Sequence, residues 1–132
     1  MKKLMLVIFA VFMVSMYSQA QNRPTAVGDS ILFEKLVHDY GTIVQGSNGE
    51  TEFVFVNKGK NPLILNNVSA SCGCTSPDWT RKPVLPGEKG SVKVKYDTEI
   101  LGSFTKSVSV FSNASNSYVT LIIRGNIVPK TR

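Results

Sequence analysis

Two cysteines separated by one glycine, in the run Ser71-Cys72-Gly73-Cys74-Thr75, are the residues of this chain best suited to chemistry. The chain has no other cysteine, so any chemistry of these two thiols is shared between them. Three states are open to the pair: a tight disulfide, a site for a soft metal, or two reduced thiols. Each of these states implies a different function.

The one-residue spacing limits how Cys72 and Cys74 can bond. In an extended strand, residues i and i+2 lie about 6.6 to 6.8 Å apart on the same face. A disulfide needs Cβ atoms about 3.5 to 4.5 Å apart, so an ordinary strand cannot hold it. Gly73 would permit a local turn that brings the sulfurs together. Such a disulfide closes a very small loop and is expected to be either a local clasp or a redox couple.

A metal site at Cys72 and Cys74 is the weakest of the three alternatives. Zinc takes three or four protein ligands, and His38 is the only histidine of the chain. Two thiolates can hold Cu(I), but all four methionines lie within residues 1–20, which are expected to be removed. We therefore predict no metal and no cofactor. The Cys-Gly-Cys motif also lacks the Cys-x-x-Cys spacing at a helix N-terminus that lowers a thiol pKa.

The first twenty residues have the features of a cleaved secretory signal peptide. Lys2-Lys3 precede an apolar run from Leu4 to Met16, and Ser18-Gln19-Ala20 places small residues where a signal peptidase cuts. The apolar run is shorter than the roughly 20 residues that cross a bilayer, which argues against a retained membrane anchor. We expect a periplasmic or secreted protein without an integral membrane segment after cleavage.

Cleavage would leave a chain the size of one domain. We expect residues 21–29 to be a polar leader and residues 30–132 to be the domain. Loss of the two lysines would lower the formal net charge from +6 to +4, and the other charges are scattered along the chain. Without a basic block, interleaved aromatics or a recognition helix, nucleic-acid binding is not expected.

Beyond the leader, short segments of alternating apolar and polar residues predict half-buried strands. In the clearest segment, Val92, Val94 and Tyr96 alternate with Lys93 and Lys95. Turn-forming clusters at 38–41, 46–49, 58–62, 84–90 and 112–117 separate the segments, with a hairpin turn predicted at 46–49 and a loop at 77–79. About seven strands with no long helix predict an all-β, immunoglobulin-like β-sandwich. The aromatic residues assigned to its core are Phe33, Phe53, Phe55, Trp79, Tyr96, Phe104, Phe111 and Tyr118.

Several spaced motifs together resemble a known family. They are His38-Asp39-Tyr40-Gly41-Thr42-Ile43, Phe53-x-Phe55-x-Asn57-x-Gly59-x-x-Pro62-Leu63-x-Leu65-x-x-Val68, Ser71-Cys72-Gly73-Cys74-Thr75 with Trp79, Pro86-Gly87-x-x-Gly90, and Gly102-x-Phe104-x-Lys106 to Ser112-Asn113. This pattern resembles the bacterial family called domain of unknown function 1573. The resemblance implies a small secreted immunoglobulin-like domain, similar to HYDIN-type and major-sperm-protein-like domains, which are generally binding or scaffold modules.

The sequence therefore predicts an extracytoplasmic binding or scaffold domain of the cell envelope without enzymatic activity. Its partner is expected to be an envelope protein or a glycan. The alternative is a thiol-disulfide redox or soft-metal module that uses Cys72 and Cys74. The second candidate site is a surface ledge formed by Asp78 and Trp79. The alternative is that Trp79 caps the core and contacts no ligand.

Overall fold

A computed structural model describes residues 30–131. The predicted signal peptide at 1–20 and the polar leader at 21–29 lie outside the described residues. Within 30–131 the chain forms strands, and none of these residues belongs to a helix that could cross a bilayer.

In this described part of the chain, eight strands form two four-stranded sheets. The first sheet has the order β1-β3-β6-β5 and the second has the order β2-β8-β7-β4. All neighbours are antiparallel except β2 and β8, which are parallel. The strands are β1 (Ile31–Phe33), β2 (Val37–Val44), β3 (Glu50–Asn57), β4 (Leu65–Ala70), β5 (Thr75–Trp79), β6 (Lys89–Tyr96), β7 (Gly102–Ser112) and β8 (Tyr118–Val128).

The core lies between the two sheets and confirms the alternation predicted for the longer strands. Phe53 and Phe55 of β3 are fully buried against Val92 and Val94 of β6 in one cluster with the inward residues of β7 and β8. Because successive side chains of a strand point to opposite faces, each long strand contributes every second residue. Burying these side chains from both sheets holds the sandwich together, at about 1.5 to 3 kcal/mol for each large apolar side chain.

Two predicted turns are wrong because tertiary pairing overrides local turn chemistry. Residues 38–41 lie inside β2, where the chain continues past a bulge at Gly41 (φ 66°). Residues 46–49 do form a connection, but they join β2 to β3, which belong to different sheets. The connection is therefore a crossing between sheets and not a hairpin.

The segment predicted as a loop at 77–79 is part of β5, which accounts for the eighth strand. Proline lacks an N–H and is tolerated in a sheet only where no ladder hydrogen bond is needed. Thr80 donates its N–H to the carbonyl of Ser91 in β6. Alternation then directs the backbone of Pro77 away from β6, so this edge strand keeps all its hydrogen bonds to β6.

Candidate functional site

Cys72 and Cys74 lie in the turn between β4 and β5, where the chain crosses from the second sheet to the first. The structure joins them in a disulfide, with their Cα atoms 5.3 Å apart. This separation is shorter than the i to i+2 distance of a strand, because the N–H of Thr75 bonds back to the carbonyl of Cys72 and closes a turn. Whether the bond acts as a clasp or as a redox couple stays a prediction.

The disulfide is held at the border of the core. Cys74 packs against the core cluster, and its carbonyl accepts a hydrogen bond from Asp97 at 2.8 Å. The hydroxyl of the buried Thr75 lies 3.7 Å from the Cys72 sulfur and 3.9 Å from the Cys74 sulfur. A hydroxyl is a neutral neighbour, so these contacts supply no charge to stabilise a thiolate.

Gly73 does not have the role that the sequence assigned to it. Its backbone is not in the left-handed region, so the turn does not depend on glycine for its conformation. A Cβ atom at Gly73 would meet no other atom within 4 Å. Gly73 is exposed, and open space lies where its side chain would point.

The ledge predicted at Asp78 and Trp79 is divided between two faces of β5. Asp78 is exposed, whereas Trp79 is partly buried and packs against the core. The guanidinium of Arg81 stacks on the Trp79 ring, 3.5 Å from its centroid. A cavity of about 180 Å³, also lined by Lys93, lies beside both residues. Because Arg81 covers the ring, the open surface is small, and ligand contact at this ledge stays a prediction.

The outer face of the first sheet carries alternating charges. Two cross-strand rows, Glu52 with Lys93 and Asp78, and Glu50 with Lys95 and Ser76, run across β3, β6 and β5. Opposite charges on neighbouring strands attract weakly and remain hydrated. We call these six residues the charged face; it borders an open cavity of about 570 Å³.

The outer face of the second sheet carries two uncharged rows instead. They run across β4, β7 and β8 and consist of Asn67 with Phe111 and Tyr118, and Ser69 with Ser109 and Thr120. We call these six residues the hydroxyl face. At the other end of this sheet, the ion pair between Asp39 and Arg124, 3.0 Å apart, supplies charge.

Phe111 and Tyr118 form the aromatic part of the hydroxyl face. Their ring centroids are 5.1 Å apart, and their exposed fractions are 38% and 55%. The prediction that both lie in the core is therefore wrong. The signal that would have corrected it is the phase of β7: Val108 and Val110 point inward, so Phe111 must point outward.

Hydrogen bonds orient the Tyr118 hydroxyl over this face. It lies 3.1 Å from the hydroxyl of Ser109. Hydrogen bonds from Ser109 and then from Thr120 lower the pKa of Tyr118 below its ordinary value, because they favour the phenolate. Three hydroxyl groups are thus held together beside an exposed aromatic pair.

The side chains that could bind a metal are scattered over the described part of the chain. Among the described residues, no group of three or more His, Cys, Asp or Glu side chains is placed to hold a metal ion. The single histidine, His38, lies in β2 with its Nδ1 atom 2.9 Å from the amine of Lys35. Burial, followed by the charge of Lys35, lowers the pKa of His38.

Solved structures show the same fold. A protein of unknown function from Porphyromonas gingivalis W83 matches with a TM-score of 0.67 and 18% identity over 80% of this chain and 51% of that chain. The ASH / PapD-like domain 7 of human CEP192 matches with a TM-score of 0.65 and 8% identity over 79% of this chain and 89% of that chain. These similarities confirm the predicted immunoglobulin-like fold.

Other matches cover only part of a larger protein. The VesB protease of Vibrio cholerae matches with a TM-score of 0.57 and 17% identity over 79% of this chain and 32% of that chain. The chain thus spans about half of the Porphyromonas protein and about a third of the protease. At these identities the likeness concerns the fold alone.

Sequence similarity assigns the family without assigning an activity. No curated protein is significantly similar to the chain. The family model described as "Protein of unknown function (DUF1573)" matches residues 31–127, which include every described strand except the last residue of β8. The chain therefore belongs to the DUF1573 family, as its motifs predicted.

Proposed function

We propose that this protein is an extracytoplasmic binding or scaffold domain of the cell envelope, without enzymatic activity, and that it contacts an envelope protein through the hydroxyl face. The observation that carries the proposal is the exposed pair of Phe111 and Tyr118 beside uncharged rows. Aromatic residues are enriched and charges are depleted at the centre of protein interfaces.

The hydroxyl face suits a protein partner for physical reasons. Phe111 and Tyr118 offer apolar area that loses little side-chain entropy when it is covered, and Tyr118 can also form a hydrogen bond. Covering the neighbouring hydroxyl groups costs less than covering a charged ladder, because their hydrogen bonds can be replaced by those of a partner. A glycan could use the same groups, and the experiment below distinguishes the two.

The extracytoplasmic location is supported by the signal sequence and by the disulfide. Disulfides persist outside the cytoplasm, and a Cys72 to Cys74 bond fits that compartment. Intact mass spectrometry of the protein from its native cells should give a chain that begins at Gln21 and lacks two hydrogens. A chain that retains residues 1–20 would contradict this part of the proposal.

Site-specific crosslinking tests the binding surface. A photoreactive phenylalanine analogue replaces Thr120 on the hydroxyl face, and in a matched control it replaces Lys93 on the charged face. Both positions are exposed and lie within a strand. After irradiation of the producing cells, we expect a protein adduct from position 120 at a yield at least tenfold above that from position 93.

The pattern of adducts decides the proposal. A discrete protein mass added at position 120 supports it, and digestion then identifies the partner and the contacted segment. Adducts of equal yield at positions 120 and 93, or no adduct at 120, would overturn the hydroxyl face as the binding surface. A heterogeneous adduct that is removed by glycan cleavage would replace the protein partner by a glycan.

Thiol-disulfide exchange by Cys72 and Cys74 is the second candidate function. It is favoured by the open space around Gly73, through which another thiol could approach. The neutral environment of the sulfurs speaks against it, because an exchange catalyst stabilises a thiolate. Equilibration with glutathione at varied ratios, read by alkylation and mass, measures the potential. A value in the range of known exchange catalysts would make this the leading function.

A further inference from the structure

We infer that the partner contributes an extended segment that pairs with the free edge of β4, beside the hydroxyl face. This inference rests on the proposed function and specifies its mode of contact. An edge strand can accept another strand only where its outward N–H and C=O groups are unoccupied. The sandwich has four edge strands, β1 and β5 in the first sheet and β2 and β4 in the second.

The edge of β1 is occupied by a side chain. Ile31 directs its backbone away from β3, since its neighbours Ser30 and Leu32 face that strand. The amide of Asn116 takes both outward groups of Ile31: its oxygen accepts from the N–H at 3.0 Å, and its nitrogen donates to the carbonyl at 2.8 Å. With only three residues in this strand, an incoming chain finds no continuous edge.

The outward N–H groups of β5 are also unavailable. The N–H of Thr75 bonds to the carbonyl of Cys72, and the N–H of Trp79 bonds to the Asp78 carboxylate at 3.0 Å. Between them stands Pro77, which has no N–H. All three outward positions of this strand are therefore closed to strand addition.

The edge of β2 is broken in the middle. The register with β8 shifts between Asp39 and Thr42, and the bulge bends the strand there. The N–H of Gly41 at this bulge bonds to the carboxylate of Asp39 at 2.8 Å. A bulge of this kind protects an edge, because it interrupts the regular spacing that an added strand needs.

The edge of β4 is open along its second half. A register shift with β7 interrupts the strand between Leu65 and Asn67, but the pairing is regular from Asn67 to Ala70. Ser71 donates its N–H to Ser107 of β7, so alternation directs the backbone of Ala70 and Val68 outward. The hydrogen bonds within residues 30–131 give these two outward positions no side-chain cap like that of Ile31. The open stretch is bounded by the Leu63 to Val84 bridge at one end and by the Cys72 to Cys74 turn at the other.

The size and charge of this edge indicate what binds there. The four residues of β4 that follow the register shift span about 13 Å, which admits a short extended segment. The strand contains no charged residue. Its side chains on the solvent side of the sheet, Asn67 and Ser69, belong to the hydroxyl face. We therefore expect the added segment to be uncharged. Its solvent-facing side chains would extend the hydroxyl face, and the rest of the partner would then cover Phe111 and Tyr118.

A second copy of this chain fits the edge less well. Pairing two β4 strands would bring together mainly Asn, Ser and Ala side chains. Stable interfaces bury roughly 1,200 to 2,000 Å² in total, which two six-residue strands of small side chains do not supply. The occupant is accordingly a segment of a larger partner that also covers the aromatic pair.

The test removes one outward N–H without altering the hydroxyl face. Ala70→Pro deletes the N–H that faces the incoming strand, and the matched control Ala70→Gly retains it. Both variants carry the crosslinker at position 120, and circular dichroism and thermal melting check that each is folded. We expect at least a tenfold loss of adduct with Ala70→Pro and less than a twofold change with Ala70→Gly.

The outcomes separate this inference from the proposed function. Full adduct yield with folded Ala70→Pro would overturn strand addition while the hydroxyl face still binds. No adduct even with the original Ala70 would overturn the proposed function itself. An adduct of twice the mass of this chain would replace the partner segment by a second copy.

Hydrogen exchange on the unaltered protein decides the case if Ala70→Pro does not fold. With the crosslinked partner segment added as a synthetic peptide, we expect amide exchange at Val68 and Ala70 to slow at least tenfold, while exchange at Phe33 on the β1 edge does not change. Equal exchange with and without the peptide would contradict the inference.

Discussion

The two outer faces of this sandwich have the same backbone geometry but opposite side-chain chemistry. The charged face pairs acids with lysines across three strands, and the hydroxyl face places an aromatic pair and small neutral groups at the equivalent rows. Hydrated charges keep a sheet surface soluble and are costly to cover. Of these two faces, the hydroxyl face is therefore the one that costs less to cover.

The edge strands of the two sheets also differ in how well they are protected against pairing with another strand. Both edges of the first sheet are closed by specific hydrogen bonds or by Pro77, whereas β4 of the second sheet is open from Asn67 to Ala70. Protection of an edge is a device against unwanted pairing. Its absence next to the one uncharged face is consistent with a binding function for this side of the molecule.

The largest effect is expected when a charge is placed on one face and then on the other. Tyr118→Lys adds a cation to the hydroxyl face, and Glu52→Lys is the matched change on the charged face. With the crosslinker at position 120, we expect Tyr118→Lys to reduce the adduct at least tenfold, because the added ammonium must lose its hydration on binding.

Glu52→Lys should change the adduct yield less than twofold, because position 52 stays in water. Both residues are exposed, so neither variant should change the free energy of unfolding by more than about 0.5 kcal/mol. An equal loss of adduct with the two variants would show that the two faces do not differ in function.

A smaller effect is expected at the corner that joins the two sheets. Replacing the disulfide by Cys72→Ser with Cys74→Ser should lower the free energy of unfolding by about 1.5 kcal/mol, since a loop this short restricts the unfolded chain only a little. Urea denaturation measures the change. Gly73→Ala, in the open space of the same turn, is the control and should be neutral.

Hydrogen exchange shows where the loss of the disulfide acts. The Ser71 amide follows the last residue of β4 and bonds to the carbonyl of Ser107 in β7. It should exchange faster in the double serine variant, whereas the amides of β3 should not. An unchanged urea midpoint would remove the clasp interpretation and leave redox as the remaining role for the pair.

The difference between these faces was only partly predictable from the sequence. The alternation of Val92, Val94 and Tyr96 with two lysines located β6 and its charged side, because a period of two directly reports the faces of a strand. Phe111 was misassigned to the core because its hydrophobicity was given more weight than its phase in β7. Resemblance to the family located the fold but carried no information on the surface used for binding.

The state of the edges could not be predicted, because it depends on contacts that are distant in sequence. Asn116 closes β1 from 85 residues away, and nothing near Ile31 signals this. Similarly, the sequence around Pro77 predicts a loop. Only its placement opposite β6 shows that its missing N–H faces outward.

The smallest effect is expected in the ionisation of two tyrosines, Tyr118 on the hydroxyl face and the half-buried Tyr40. Hydrogen bonds lower the pKa of Tyr118, whereas burial raises the pKa of Tyr40 to about 12, where its hydroxyl donates to the carbonyl of Gly49. In an alkaline titration followed by tyrosinate absorbance, Tyr118 should therefore ionise first. Tyr118→Phe should remove the early phase. Tyr40→Phe should reduce the late phase without removing it, because burial also raises the pKa of Tyr96.

The two tyrosines should affect stability in opposite directions as the pH rises. Tyr40 ionises in the unfolded chain near its ordinary pKa of about 10 but resists ionisation in the fold, so its contribution is complete below about pH 10 and is lost toward about pH 12. Tyr118 ionises more readily in the fold, so its contribution is gained as the pH rises to the ordinary pKa and persists above it. Tyr40→Phe should therefore make the alkaline fall in urea midpoint shallower, and Tyr118→Phe should make it steeper. If both variants shift the fall in the same direction, the hydroxyl groups of the outer face do not hold Tyr118 as the structure shows.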